Sequence, residues 1–197
     1  GVGLVGSEMC IRDREYSVST LKTNTIQAAT GTTVNVASGH KISGAAGSIV
    51  APGQVLQTVE ATDSTQTTTT SGSYVDTGLT ATITPSSTSS KILAIAKLNI
   101  YGGGGGYMIA ATMIRTIGGT STNLAENDGA GMIQHNCPDI SGNYPFGADH
   151  SAMILDSPST TSAVTYKMQF KNNTGSATSY SSVNSVTDCL VLMEIAQ

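Results

Sequence analysis

The chain has 197 residues, a formal net charge of −4, and only 11% charged residues, well under the usual quarter. Its nine Lys and Arg are scattered, which excludes a phosphate-binding stripe and, with it, nucleic acid as a partner. No apolar run approaches the ~20 residues of a membrane span, and no charged-then-apolar leader is recognisable.

In chain order, residues 1–15 do not match the rest. Glu8, Arg12, Asp13, Arg14 and Glu15 make this stretch far more charged than the remainder. The string from Gly6 to Arg14, GSEMCIRDR, resembles translated sequencing-adapter read-through, and on that resemblance residues 1–15 are read as a non-native segment and excluded from fold reasoning as a tag is. Gly1, Gly3 and Gly6 match the G-x-G-x-x-G fingerprint by letter alone. That motif works only between a strand and a helix, and no βαβ unit follows.

Residues 16–50 hold sparse apolar positions (Leu21, Ile26, Val34, Val36, Ile42), too few for a core within one chain. They are read as an extended stem whose apolar residues are covered when copies associate, with a Gly/Ser linker over 43–49.

Residues 51–197 read as successive β-strands in a Ser/Thr/Gly background. Strands are expected at about 54–61, 66–70, 73–76, 79–84, 90–101, 107–117, 130–135, 150–155, 162–171 and 186–195. In Ser90–Tyr101, Ile92, Ala94, Ala96, Leu98 and Ile100 share one face of a period-2 pattern. In 162–171, Val164, Tyr166, Met168 and Phe170 point inward, and Thr165, Lys167, Gln169 and Lys171 outward. Helical periodicity is absent, and short strands at this spacing predict an all-β fold, an antiparallel β-sandwich of jelly-roll type. Two segments interrupt the strands. The five glycines 102–106 are read as a hairpin loop, since no helix follows to make a phosphate cradle. Gln134–Asp149 is the longest polar stretch, a length that on a sandwich often carries function.

Little in the chain suggests chemistry. Cys10, Cys137 and Cys189 are odd in number and lack CxxC spacing, so neither a disulfide framework nor a zinc site is indicated. Cys189 is expected to be a buried thiol. His135 and His150 flank the long loop, but a metal site needs several converging ligands, and no metal or other cofactor is expected. Glycoside hydrolysis needs two carboxylates across a cleft. No pair stands out among Glu60, Asp63, Asp76, Glu126, Asp128, Asp139, Asp149, Asp156, Asp188 and Glu194. Asp63, Asp76 and Asp156 are expected in turns, and Glu194 is expected to face outward. The chain is therefore read as non-enzymatic.

Three segments carry a family resemblance: Pro52–Gln57, PGQVLQ; Ser71–Leu79, SGSYVDTGL; and Ile83–Leu93, ITPSSTSSKIL. Together with Leu155–Pro158 and Leu192–Ile195, they resemble the distal domain of marine bacteriophage tail-fibre-like proteins. Leu21–Ile42 is similar to the shaft that precedes such domains, so the resemblance covers roughly residues 19–197. It implies a fibrous virion component of the phage tail, assembled in the host cytoplasm as a homotrimer. Its expected partners are other virion tail proteins and a host surface glycan or protein, without membrane insertion.

On that reading the loops at one end of the sandwich, Gly102–Tyr107 and Gln134–His150, meet the receptor. Tyr144 and Phe146 supply apolar faces; His135, Asn136, Asp139, Asn143 and Asp149 supply donors and acceptors. The alternative is that Tyr144 and Phe146 pin the loop to the sandwich. A rival class is a structural virion protein, a capsid decoration or tail spacer, without a receptor.

Overall fold

The computed structural model describes residues 34–44, 49–102, 107–125, 131–137, 146–173 and 177–197. Contacts divide the chain into Gly1–Ser43 and Gly44–Gln197. In the first unit, residues 34–43 form neither helix nor strand, and Val34, Val36 and Ile42 are exposed.

The second unit is built of strands, in chain order β1 (Val55–Asp63), β2 (Thr67–Thr69), β3 (Val75–Ile83), β4 (Lys91–Gly102), β5 (Tyr107–Ile117) and β6 (Thr120–Asn123). There follow β7 (Ile133–Cys137), β8 (Phe146–Asp156), β9 (Val164–Asn172), β10 (Ser179–Ser181) and β11 (Asp188–Ile195). The helical content among the described residues is one short 3₁₀ turn at Val183–Ser185. Every strand pair is antiparallel.

In the six-stranded sheet, β8 lies along one flank of β4 while β11 and β10 share the other, with β1 beyond β11 and β2 beyond β10. In the five-stranded sheet, β9 lies along one flank of β5, β7 and β6 share the other, and β3 lies beyond β9. The order β1-β11-β4-β8 facing β3-β9-β5-β7 is the connectivity of a jelly roll, in which two Greek keys interlock.

The core lies between the sheets. Ile92, Ala94, Ala96, Leu98 and Ile100 are fully buried, as are Val164, Tyr166, Met168 and Phe170 opposite them. Both alternations are those expected, because residues two apart on a strand share a face.

Several expectations need correction. The stretches 73–76 and 79–84 are one strand, β3, with a register shift between Asp76 and Thr80. Gly78 at φ +102° and the Thr77 hydroxyl, which donates to Met168 O at 3.0 Å, carry the chain across this irregularity. Strands also form at β6 and β10, where none was expected. The long loop is shortened from both ends, because the ladders continue through Cys137 and begin again at Phe146.

The carboxylate assignments change as well. Glu194 points inward and is fully buried, in line with Leu190 and Leu192. Its oxygens accept from Ser86 N at 2.7 Å, Ser86 Oγ at 2.6 Å and Gln57 Nε2 at 2.6 Å, which lets a carboxylate leave water. Burial pushes its pKa up, but the bonds from Ser86, Gln57 and Ser90 outweigh that and hold it low. Asp156 ends β8 rather than sitting in a turn: it accepts from Arg115 Nη1 at 2.8 Å and from Tyr166 Oη at 2.7 Å. Asp76 lies in β3, bound to Lys167 and Gln169. Asp63 does serve a turn, accepting Thr65 N–H at 3.0 Å. Cys189 is half-buried, on the face opposite Leu190 and Leu192.

Candidate functional site

Gly102 and Phe146 are paired at one end of the six-stranded sheet, and Tyr107 and Cys137 at the matching end of the other. The connections 103–106 and 138–145 therefore both leave from one end of the sandwich. Asp139, Asn143 and Tyr144 lie in the second connection, outside the described residues. The chain enters β1 at the opposite end, where Gly53 N–H donates to Ala196 O at 2.8 Å.

The base of the long connection is held by an imidazole pair. His135 is 4% exposed and faces inward from β7. A carbonyl can only accept, so His135 Nε2–H donates to Phe146 O at 3.3 Å. That tautomer leaves Nδ1 to accept from His150 Nε2–H at 3.0 Å. The His135 ring also stacks on Phe146, with centroids 5.6 Å apart and planes 6° from parallel. Burial lowers the His150 pKa, and neighbouring His135 lowers it further; nearby Asp149 offsets part of this. His135 is thus committed within the chain rather than offered to a ligand.

The other expected site residues do not converge. Asn136 is exposed on the outer face of the five-stranded sheet, whereas Asp149 is exposed on the outer face of the six-stranded one. A strand turns successive side chains to opposite faces, so residues close in sequence are separated by the thickness of the sandwich. Phe146 is 46% exposed at the rim between the sheets.

What does assemble is a surface around Asp149. Asn99 occupies the gap where β10 and β11 meet along β4. Its N–H donates to Asp188 Oδ1 at 2.7 Å, and its carbonyl accepts from Ser182 N at 3.1 Å. Asp188 is fully buried and also accepts from Ser182 Oγ at 2.7 Å; burial raises its pKa against these bonds. Ser182, Asn184 and Ser185 take left-handed backbone angles, φ 54°, 55° and 60°, in the turn that closes this junction.

With its backbone fixed, Asn99 turns its side chain outward, and Nδ2 donates to Asp149 Oδ1 at 2.8 Å. Lys97 Nζ lies 3.3 Å from Asp149 Oδ2. The Asn99 bond and the Lys97 charge hold the Asp149 carboxyl below its ordinary range.

One step further toward the loop end, Tyr101 and Tyr180 are cross-strand partners on the same outer face. Their ring centroids are 6.1 Å apart at 73°, an edge-on pair. Tyr101 lies over Gly147, where any Cβ would overlap its ring. The pair was not among the expected site residues, because β10 is three residues long and has no apolar alternation to announce it. The ladder, not the sequence spacing, brings Tyr180 to Tyr101.

Among the described residues, no group of three or more His, Cys, Asp or Glu could hold a metal ion. No helix among them is long and apolar enough to cross a membrane.

No protein-family model matches this chain, and no curated protein does. Similar solved structures include the structure of infectious bursal disease virus Gx strain, with 10% identity and a TM-score of 0.37 over 79% of this chain and 41% of that one. Another is the crystal structure of infectious bursal disease virus VP2 subviral particle, with 15% identity and a TM-score of 0.36 over 80% and 42%. The chain thus spans about two-fifths of those chains. Likenesses this distant carry no argument, and the jelly-roll assignment rests on the strand order and register.

Proposed function

We propose that the chain is a tail-fibre-like virion protein, assembled as a homotrimer, whose sandwich binds a host surface glycan or protein without catalysis. The observation that carries this reading is polarity along the sandwich. The chain enters at one end, while the Tyr101–Tyr180 pair and the Lys97–Asn99–Asp149 cluster lie toward the other. Aromatic faces beside a planar amide and a carboxylate suit sugar rings, which offer C–H faces and hydroxyl edges together. The sequence resemblance over residues 19–197 supports the tail placement.

A non-catalytic role is supported by how the carboxylates are used. Asp76, Asp149, Asp156, Asp188 and Glu194 each accept hydrogen bonds that join strands or sheets. A second reading, a structural virion protein without a receptor, draws support from Met153 and Leu155, exposed on an outer sheet face that suits packing against other subunits.

The two readings separate on host cells. Labelled protein should bind cells and compete with phage adsorption, and the Tyr180→Ala, Asp149→Ala double variant should bind at least tenfold more weakly with its melting temperature little changed. Wild-type protein that never labels cells would leave the structural reading standing. Undiminished binding by the double variant would move the receptor site elsewhere.

A further inference from the structure

The outer face of the six-stranded sheet changes character along its length. Toward the loop end it carries the polar and aromatic side chains just described. Toward the end where the chain enters, the register aligns Val191, Ile95 and Met153 in one row across β11, β4 and β8, with Met193, Leu93 and Leu155 in the next. Their sequence neighbours at Ile92, Ala94, Ala152, Leu190 and Leu192 fill the core, so among the described residues this second apolar layer has no partner sheet. Met153 is 67% and Leu155 53% exposed.

β8 is also an edge of its sheet, pairing in the ladder with β4 alone among the described strands. Edge strands of monomeric sheets are ordinarily guarded by charge, proline or bulges. This one carries Asp149 in its loop-end half, but its outward positions toward the chain-entry end are Met153 and Leu155, and contiguous apolar surface of this kind marks an interaction face.

Two charges of opposite sign bound the block. Glu60 extends the first row on β1, opposite Val191, and Lys91 lies beyond the second row on β4, opposite Ile195. Among the described residues neither is in an ion pair. A lipid headgroup layer or an acidic partner would be met by a cationic rim; this rim is neutral in sum and complementary to itself. The apolar surface also continues at the same end to Val55 on β1, 46% exposed and paired with Ile195.

We infer that a second copy of this chain packs on this face, burying the Val191–Ile95–Met153 and Met193–Leu93–Leu155 rows. In a closed ring of copies, the β1 flank of one meets the β4–β8 flank of the next, which sets Glu60 against Lys91 of its neighbour. The inference rests on the proposed self-assembly, which it localises, and is independent of receptor binding.

The test is sedimentation equilibrium of the full chain over a range of concentrations. Wild type should associate at micromolar concentration, and Met153→Asp with Leu155→Asp should weaken association at least tenfold. Glu60→Lys and Lys91→Glu should each weaken it, and the two swaps together should restore it. The swaps alter only surface charge, so they remain informative if the double Asp variant fails to fold.

A wild-type monomer overturns both the inference and the proposed assembly. An oligomer that ignores all these substitutions overturns the inference alone and leaves assembly to other residues. A monomer that sediments with phosphatidylcholine vesicles assigns the face to lipid and overturns it too.

Discussion

Tyr166 on β9 and Asp156 on β8 join the two sheets through one hydrogen bond, the phenol donating to carboxylate Oδ2 at 2.7 Å. Arg115 on β5 takes the other carboxylate oxygen at 2.8 Å, so one side chain of the six-stranded sheet is held by two of the five-stranded sheet. Burial and the adjacent carboxylate push the Tyr166 hydroxyl well above its ordinary pKa, which keeps it a donor at every physiological pH.

Tyr166→Phe keeps the ring in the core and leaves Asp156 Oδ2 without its donor. The expected loss is about 1–3 kcal/mol, the penalty for an unmet buried polar atom. Asp156→Ala strands the half-buried Arg115 as well and should lose about 3 kcal/mol or more. Urea titration of both variants checks the order; a Tyr166→Phe variant as stable as wild type would show that the bond contributes nothing net.

His150 sets a pH dependence. The native His150 pKa is lowered by burial, while the unfolded chain takes its proton near pH 6.5. Between those values the unfolded state binds more protons, so stability falls as pH falls through that window and levels off below the native pKa. Melting temperatures should therefore drop from pH 7.5 to pH 5.5, and His150→Gln should flatten the change. A wild-type curve that rises toward acid contradicts the arrangement.

Gly78 sits at φ +102° with Asp63 Oδ2 where a Cβ would have to go. Gly78→Ala combines backbone strain with that overlap and should destabilise by about 1–3 kcal/mol. Gly119, at φ +84° with nothing near its absent Cβ, suffers only the backbone part. Calorimetry of the two alanine variants should rank Gly78→Ala as the less stable; equal melting temperatures would remove the role given to Asp63.

Much of the sandwich was legible because its central strands alternate without interruption. β4 and β9 carry a strong apolar residue at every second position, and no other element accommodates that period. β6 and β10 were not legible: Thr120–Asn123 is exposed throughout, and Ser179–Ser181 is a short hydroxyl-bearing segment recruited by the free flank of β4. Thr77 and Gly78 resemble turn residues, yet the sheet absorbs them as an irregularity within β3. Glu194 misled because both faces of β11 are apolar, Leu190 and Leu192 on one and Val191 and Met193 on the other, so alternation alone does not say which is inward; the donors that make its burial tolerable, Gln57 and Ser86, come from distant segments.

The functional surface was harder to read for the same reason. Sequence proximity gathered His135, Asn136 and Asp149 into one loop, whereas pleating sends them inward and to opposite faces. Tyr101 and Tyr180 become neighbours only through a strand pairing that no local pattern announces.

The inward row of β11 begins with Asp188, continues through Leu190 and Leu192, and ends with Glu194. Each carboxylate meets donors fixed elsewhere in the fold. Sliding this last strand by two residues would keep its apolar face inward, so the leucines alone tolerate the error. The carboxylates do not: a slip drives one under the sheet without donors and pulls the other from its own. β11 therefore carries a stop at each end and seats between β1 and β4 in a single alignment.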